Sequence, residues 1–105
     1  MTDEPYRYTQ NAIRSLRERI EILAGIDAAL QRWPEVAKLA FESESPGTLR
    51  NDLAALLDIG PEPAQAILDM QVRRVTRRER ARISNELEES RRQLRAALSD
   101  PRPPV

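Results

Sequence analysis

The stretch PAQAILDMQVRRVTRRE, residues 63–79, changes character at its middle. Ile67, Leu68, Met70 and Val72 stand among polar residues in its first half, and Arg73, Arg74, Arg77 and Arg78 fill its second. Thr76-Arg77-Arg78-Glu79 has the form of a capping box, in which the threonine hydroxyl and the glutamate carboxylate satisfy opposite backbone donors at a helix start. One helix closing near Arg74 and another opening after Thr76 put a corner between them. The fold follows from what lies on either side of that corner.

Downstream, Thr76, Arg80, Ile83, Leu87, Ser90, Leu94 and Ala97 are spaced alternately by four and three, and Leu98 adds to the line. That alternation predicts a coiled-coil seam on a helix over 77–98. Asp100-Pro101 and the proline-rich end predict a frayed tail over 99–105. The other end of the chain repeats the pattern. Tyr6, Ile13, Leu16, Ile20, Leu23 and Leu30 fall on a heptad, with Thr9 and Asp27 in the remaining seam positions. Ile22 and Ile26 broaden the stripe there, so another element is expected to pack on that face. Pro34 ends or bends this helix, because the residue before a proline leaves the α region, which gives an outgoing helix over about 5–32.

Three short helices are expected between the two long ones. The first runs over 34–41, with Val36, Leu39 and Phe41 apolar. The second runs over 46–57 toward Gly60, with Ser45 as N-cap and Pro46 at the favoured first position. The third runs from Pro61 or Glu62 to Arg74. No stretch alternates with period two, so no strand is expected. The predicted fold is all-α: a long antiparallel two-helix coiled-coil stalk (about 5–32 and 77–98) with a small helical knob (about 34–75) at its tip, together one domain over 1–105.

Composition bounds the chemistry. The 105 residues hold 17 basic and 17 acidic side chains, which suits helices with solvated faces. Lys38 is the only lysine among the basic residues. With no cysteine and no histidine, disulfides, thiolate or imidazole metal sites and Cys- or Ser–His nucleophilic catalysis are excluded. No cofactor, metal, catalytic residue or small-molecule substrate is expected. No apolar run is long enough to cross a bilayer, and MTDEPYRYTQ does not read as a signal peptide, so the expected location is the cytoplasm, nucleoid included.

A two-helix stalk with so few aromatics buries little surface, and small chains of this kind gain stability by oligomerising. A homodimer through the knob is therefore expected. Its candidate contact residues are Leu53, Leu56, Leu57, Ile59, Ile67, Leu68, Met70, Gln71, Val72 and Val75. Ordinary packing inside the knob is the equal alternative for Ile67, Leu68, Met70 and Val72.

The segment AQAILDMQVRRVTRRE (64–79) resembles a signature of the A subunit of bacterial type IIA topoisomerases, DNA gyrase and topoisomerase IV. There a helix much like QAILDMRLQRLT precedes a threonine-capped helix beginning with glycine, leucine and glutamate. LRERIEILAGIDAAL (16–30) is similar to the outgoing arm helix of that subunit, and LRAALSDP (94–101) to its return helix. The resemblance implies the coiled-coil arm and its tip, the exit gate (C-gate), where two subunits meet and transported DNA leaves. It also implies that the knob is the dimer contact. The family's winged-helix domain with its cleaving tyrosine, the tower and the DNA-wrapping domain have no counterpart here, so this chain alone is expected to be no enzyme, although the likeness by itself would assign an ATP-hydrolysing DNA topoisomerase.

Arg7-Tyr8-Thr9 matches the cleavage-site triplet of that family. It lies about ten residues before the matched arm with no acidic cluster to hold magnesium, so it is read as coincidence, with Tyr6 and Tyr8 as stalk residues. Arg73, Arg74, Arg77, Arg78, Arg80 and Arg82 are the candidates for DNA contact, since phosphate binding needs only clustered positive charge. Against that, Asp52, Asp58, Glu62 and Asp69 could pair with these arginines within the chain or across a dimer. Arg77 and Arg78 replace the usual glycine and leucine of the family. Glu18, Glu21, Glu86, Glu88 and Glu89 read as a solvated coil surface rather than metal ligands. Three functions stand open. The first is a free-standing exit-gate module that pairs with itself or with a full-length topoisomerase A subunit. The second is a separately encoded piece of a split topoisomerase, and the third a small arginine-rich DNA-binding coiled coil.

Overall fold

The computed structural model describes residues 8–102. Tyr6, Arg7 and the end of the proline-rich tail lie outside the described residues. The described chain forms five α-helices: α1 (Gln10–Gln31), α2 (Trp33–Glu42), α3 (Pro46–Leu57), α4 (Pro61–Leu68) and α5 (Arg77–Ser99), with a 3-10 turn (Val72–Val75) between α4 and α5. No strand occurs among the described residues, and the fold is all-α.

The long helices start where local chemistry starts them. Thr9, expected on the seam, is the N-cap of α1: its Oγ1 accepts the Ala12 N–H at 2.9 Å. The helix therefore begins at Gln10, later than position 5. At the other end, Thr76 Oγ1 accepts the Glu79 N–H at 3.4 Å and caps α5. Only this half of the capping box forms. The Thr76 N–H donates to Arg73 O instead, and the Glu79 carboxylate turns to Arg82 at 3.4 Å. Thr76 and Arg80 are exposed, so the seam of α5 begins at Ile83 and continues through Leu87, Ser90 and Ala97, all buried. Leu98 stands 54% exposed and does not extend it.

Arg32 is the joint between α1 and α2. Its N–H closes α1 on Ala28 O and Ala29 O, and Pro34 sits in the first turn of α2. Its side chain pairs with Glu35 at 2.6 Å and donates from Nη1 to Leu56 O at 3.1 Å, which ties the corner to α3. Helix α3 begins as the sequence predicts, with Ser45 Oγ accepting the Thr48 N–H at 3.2 Å and Pro46 at the first position. It ends at Leu57 because Asp58 turns left-handed, with φ 52°. A non-glycine residue there carries a conformational cost of about 1 kcal/mol or more. Asp58→Gly should accordingly raise unfolding free energy by about 0.5–1 kcal/mol, read as a higher urea midpoint at unchanged slope.

The helix expected to run to Arg74 stops at Leu68 instead. Asp69 caps it with its N–H on Gln65 O, Met70 N–H reaches back to Ile67 O, and the chain re-enters a 3-10 turn only at Val72. The core lies where these pieces meet the last turns of α1: Leu23, Ile26, Ala29 and Leu30 are buried with Val36, Leu53, Ala64, Ile67, Ile83 and Leu87. Helix α4 is the extra element that covers the broadened face of α1, and α3 packs on α4 behind it. The end of α1 (Asp27, Leu30, Gln31) and the start of α5 (Arg77, Arg80, Ala81, Ser84) line one cleft, so the second long helix returns alongside the first. The molecule measures 61 × 27 × 18 Å, a length that suits two long helices with short ones gathered at one end.

Candidate functional site

The short helices and the 70–76 connection carry every residue expected at a partner surface, and the structure divides those residues in two. Leu53 is 1% exposed and Ile67 5%, each sealed into the core. Leu56, Leu57, Ile59, Leu68, Met70 and Val75 are half-buried and pack against that core with one side. Gln71 and Val72 are exposed, Val72 at 78%. A β-branched apolar side chain held this far into solvent within a short 3-10 turn is the most exposed of the expected apolar contact residues.

Sequence reading missed one comparable residue. Phe41, the only phenylalanine, is 92% exposed near the end of α2, although its helix buries Val36. Its position five residues after Val36 puts it off the face that α3 covers, a signal visible only once the partner of α2 is known.

The six arginines start just beyond Val72. Arg73, Arg77, Arg78, Arg80 and Arg82 are exposed and Arg74 is half-buried. Arg82 is bridged by Glu79 and Glu86, both at 3.4 Å and both on its own helix. The Arg73 guanidinium donates to the side-chain oxygen of Gln71, a neutral partner. The four knob acids do not absorb the rest. Among the described residues, none of Asp52, Asp58, Glu62 and Asp69 bridges to an arginine of the cluster, and Asp69 Oδ1 accepts instead from Gln65 Nε2 at 3.2 Å. The pairing expected within the chain is therefore local to α5 only. Asp69 lines one cleft with Arg73 and Arg74 yet its Oδ1 is occupied by Gln65, while Asp52 and Glu62 lie on α3 and α4.

Farther along α5, Glu88 and Glu89 pair with Arg92 and Arg95 at 2.7–3.9 Å. The Arg92 hydrogen bond and charge hold the Glu89 carboxyl below its ordinary value, and the Arg32 contact does the same for Glu35. Both pairs are solvent-exposed, so each adds little to stability. Among the described residues, no three acidic side chains gather as a metal site would require, and no helix is long and apolar enough to cross a membrane. Thr9, the last residue of the arginine-tyrosine-threonine triplet, has its hydroxyl occupied in capping α1.

No protein-family model matches the chain. Comparison with curated proteins finds the DNA gyrase A subunit of Mycobacterium tuberculosis H37Rv 44% identical over 81 residues, which is 77% of this chain and 10% of that protein. The DNA gyrase A subunit of Halalkalibacterium halodurans is 37% identical over 97 residues, 90% of this chain and 12% of the relative. That of Staphylococcus aureus MRSA252 is 36% identical over 97 residues, again 90% of this chain. The chain thus spans about a tenth of the length of the curated relatives it matches. Identity at this level, spread over most of 105 residues that fold into two long helices and a helical knob, identifies the chain as related to one segment of the DNA gyrase A subunit.

Proposed function

We propose that this chain is a dimerising module of the topoisomerase exit-gate type: an antiparallel coiled-coil stalk whose knob meets the knob of a second copy, or of a full-length A subunit of gyrase or topoisomerase IV, in the cytoplasm. It modulates or scaffolds a topoisomerase through that contact. The observation that carries the reading is Val72, 78% exposed on the connection between knob and return helix and flanked by half-buried Met70 and Val75. An apolar group so placed loses little by being covered and gains about 25 cal/mol per Å² of apolar surface when it is. The relatives support the setting, since they are named as subunits and match this chain over most of its length.

Light scattering on the full chain tests it. A mass of twice the 12.0 kDa chain is expected at micromolar concentration, and Val72→Asp should shift the population to monomer while leaving the helical circular dichroism unchanged. A wild-type chain that stays monomeric, alone and when mixed with the gyrase A subunit, would overturn the proposal.

A further inference from the structure

Phe41 at 92% and Val72 at 78% are the two most exposed large apolar side chains among the described residues. One continuous face of the knob joins the segments that carry them. Ala40 and Glu44, close to Phe41 in the chain, line a cleft with Leu68 and Asp69. Asp69 also lines the neighbouring cleft, together with Arg73 and Arg74, which follow Val72. Asp69 thus stands between two clefts, with Phe41 toward one end of the face and Val72 toward the other.

The two ends carry opposite charge. Residues 33–49 hold three acids, Glu35, Glu42 and Glu44, against one base, Lys38. Glu35 is taken by Arg32, whereas no cation among the described residues bridges to Glu42 or Glu44, both exposed. Residues 71–82 form an arginine strip, six arginines against the single acid Glu79. Glu79 pairs with Arg82, and no carboxylate among the described residues bridges to Arg73 or Arg74. A contact of Val72 with the Val72 of a second copy would set these arginines against their own kind, and juxtaposed like charges oppose association. A copy turned end for end brings acids to them instead.

We propose that this face takes a second copy of the chain in reversed orientation: Phe41 of each protomer covers the Val72 turn of the other, and Glu42 and Glu44 of each meet Arg73 and Arg74 of the other. The inference rests on the knob contact proposed above and specifies how that contact is made. A twofold axis makes each pairing twice, so a single interface covers both exposed apolar groups of both chains. Phe41 is the larger part of it, since a buried aromatic side chain removes about 150–250 Å² from water. The charges set the direction of docking and reject the arrangement of like ends.

Light scattering on the full chain tests the arrangement, with helical circular dichroism as the check of folding. Phe41→Ser should lower the dimer population as Val72→Asp does, and so should added salt, which screens exposed charges. Two charge variants carry the sharper signature. Glu42→Lys/Glu44→Lys makes both ends positive, and Arg73→Glu/Arg74→Glu makes both negative. Each variant alone should be monomeric, and an equal mixture of the two should regain a mass of twice the chain, which a role confined to one chain would not produce. A wild-type dimer that Phe41→Ser leaves intact would overturn the reversed arrangement while the Val72 contact stands. Charge variants that each dimerise alone, or that stay monomeric when mixed, would overturn it as well. A wild-type chain that is monomeric alone also overturns it, and if that chain pairs with the gyrase A subunit the face belongs to that subunit.

Discussion

Leu53→Ala is expected to cost about 2–5 kcal/mol of folding free energy, whatever the protein concentration at which it is measured. Leu53 is 1% exposed on α3, and its side chain is among the largest that the core seals completely. Truncation empties a site whose walls are helices already in contact, so the cavity cannot collapse without moving α4. A chain of this size has about 5–15 kcal/mol of stability in total, and the variant should lose a large part of it. The urea midpoint should fall sharply at unchanged slope. Concentration is the informative variable, because the periodicity of α3 is equally compatible with Leu53 facing a second copy. If Leu53 lay at a dimer interface, its truncation would shift the midpoint strongly with dilution and change the mass seen by light scattering. A loss below about 1 kcal/mol would show that this leucine is not packed as the structure has it.

The sequence discloses those parts of this fold that local chemistry decides. Ser45-Pro46 and Thr76 announce helix starts because a hydroxyl beside free backbone donors acts within three residues. The seams of α1 and α5 announce a pair of long helices because burial on one side repeats at the helical period. Pairs such as Arg92 with Glu88 and Glu89 follow from spacing alone. What stays hidden depends on partners far away in the chain. The apolar run through Ile67, Leu68, Met70 and Val72 reads as one helix to Arg74, yet it breaks at Asp69 so that the chain can leave the face of α1 and meet the start of α5. Leu53 and Val72 look alike as apolar residues of the knob, and only packing makes one core and the other surface. The charges behave the same way. Spacing could not tell whether the knob acids pair with the arginine strip: Asp69 shares a cleft with Arg73 and Arg74, yet its Oδ1 accepts from Gln65 instead.

Gly25 and Gly47 both lie inside helices, and replacing each by alanine should have opposite effects. In a free helix the change is favourable by about 1 kcal/mol, because glycine surrenders more backbone entropy. At Gly47 that expectation stands: an added Cβ would meet only the Ser45 hydroxyl, at 3.9 Å. Gly25 is buried on α1 where α4 crosses it, and a Cβ there would come within 2.6 Å of the Pro63 Cβ. Pro63 is itself fully buried and rigid, and Ala64 beside it is 0% exposed, so the obstacle cannot swing aside as a long side chain would. Helix α4 must withdraw as a unit, opening the packing of Ile67 against the core and displacing the turn that carries Val72, Arg73 and Arg74. Overpacking of this kind costs about 1–3 kcal/mol, more than the gain in helix propensity. Gly25→Ala should therefore lower the urea midpoint while Gly47→Ala raises it slightly. Because α4 leads into the exposed turn, Gly25→Ala should also weaken the proposed self-association more than its loss of stability explains, measured by light scattering under conditions where the variant remains folded. A Gly25→Ala chain as stable as Gly47→Ala would mean that the two helices do not cross this closely, and the position of the whole knob on the stalk would then have to be redrawn.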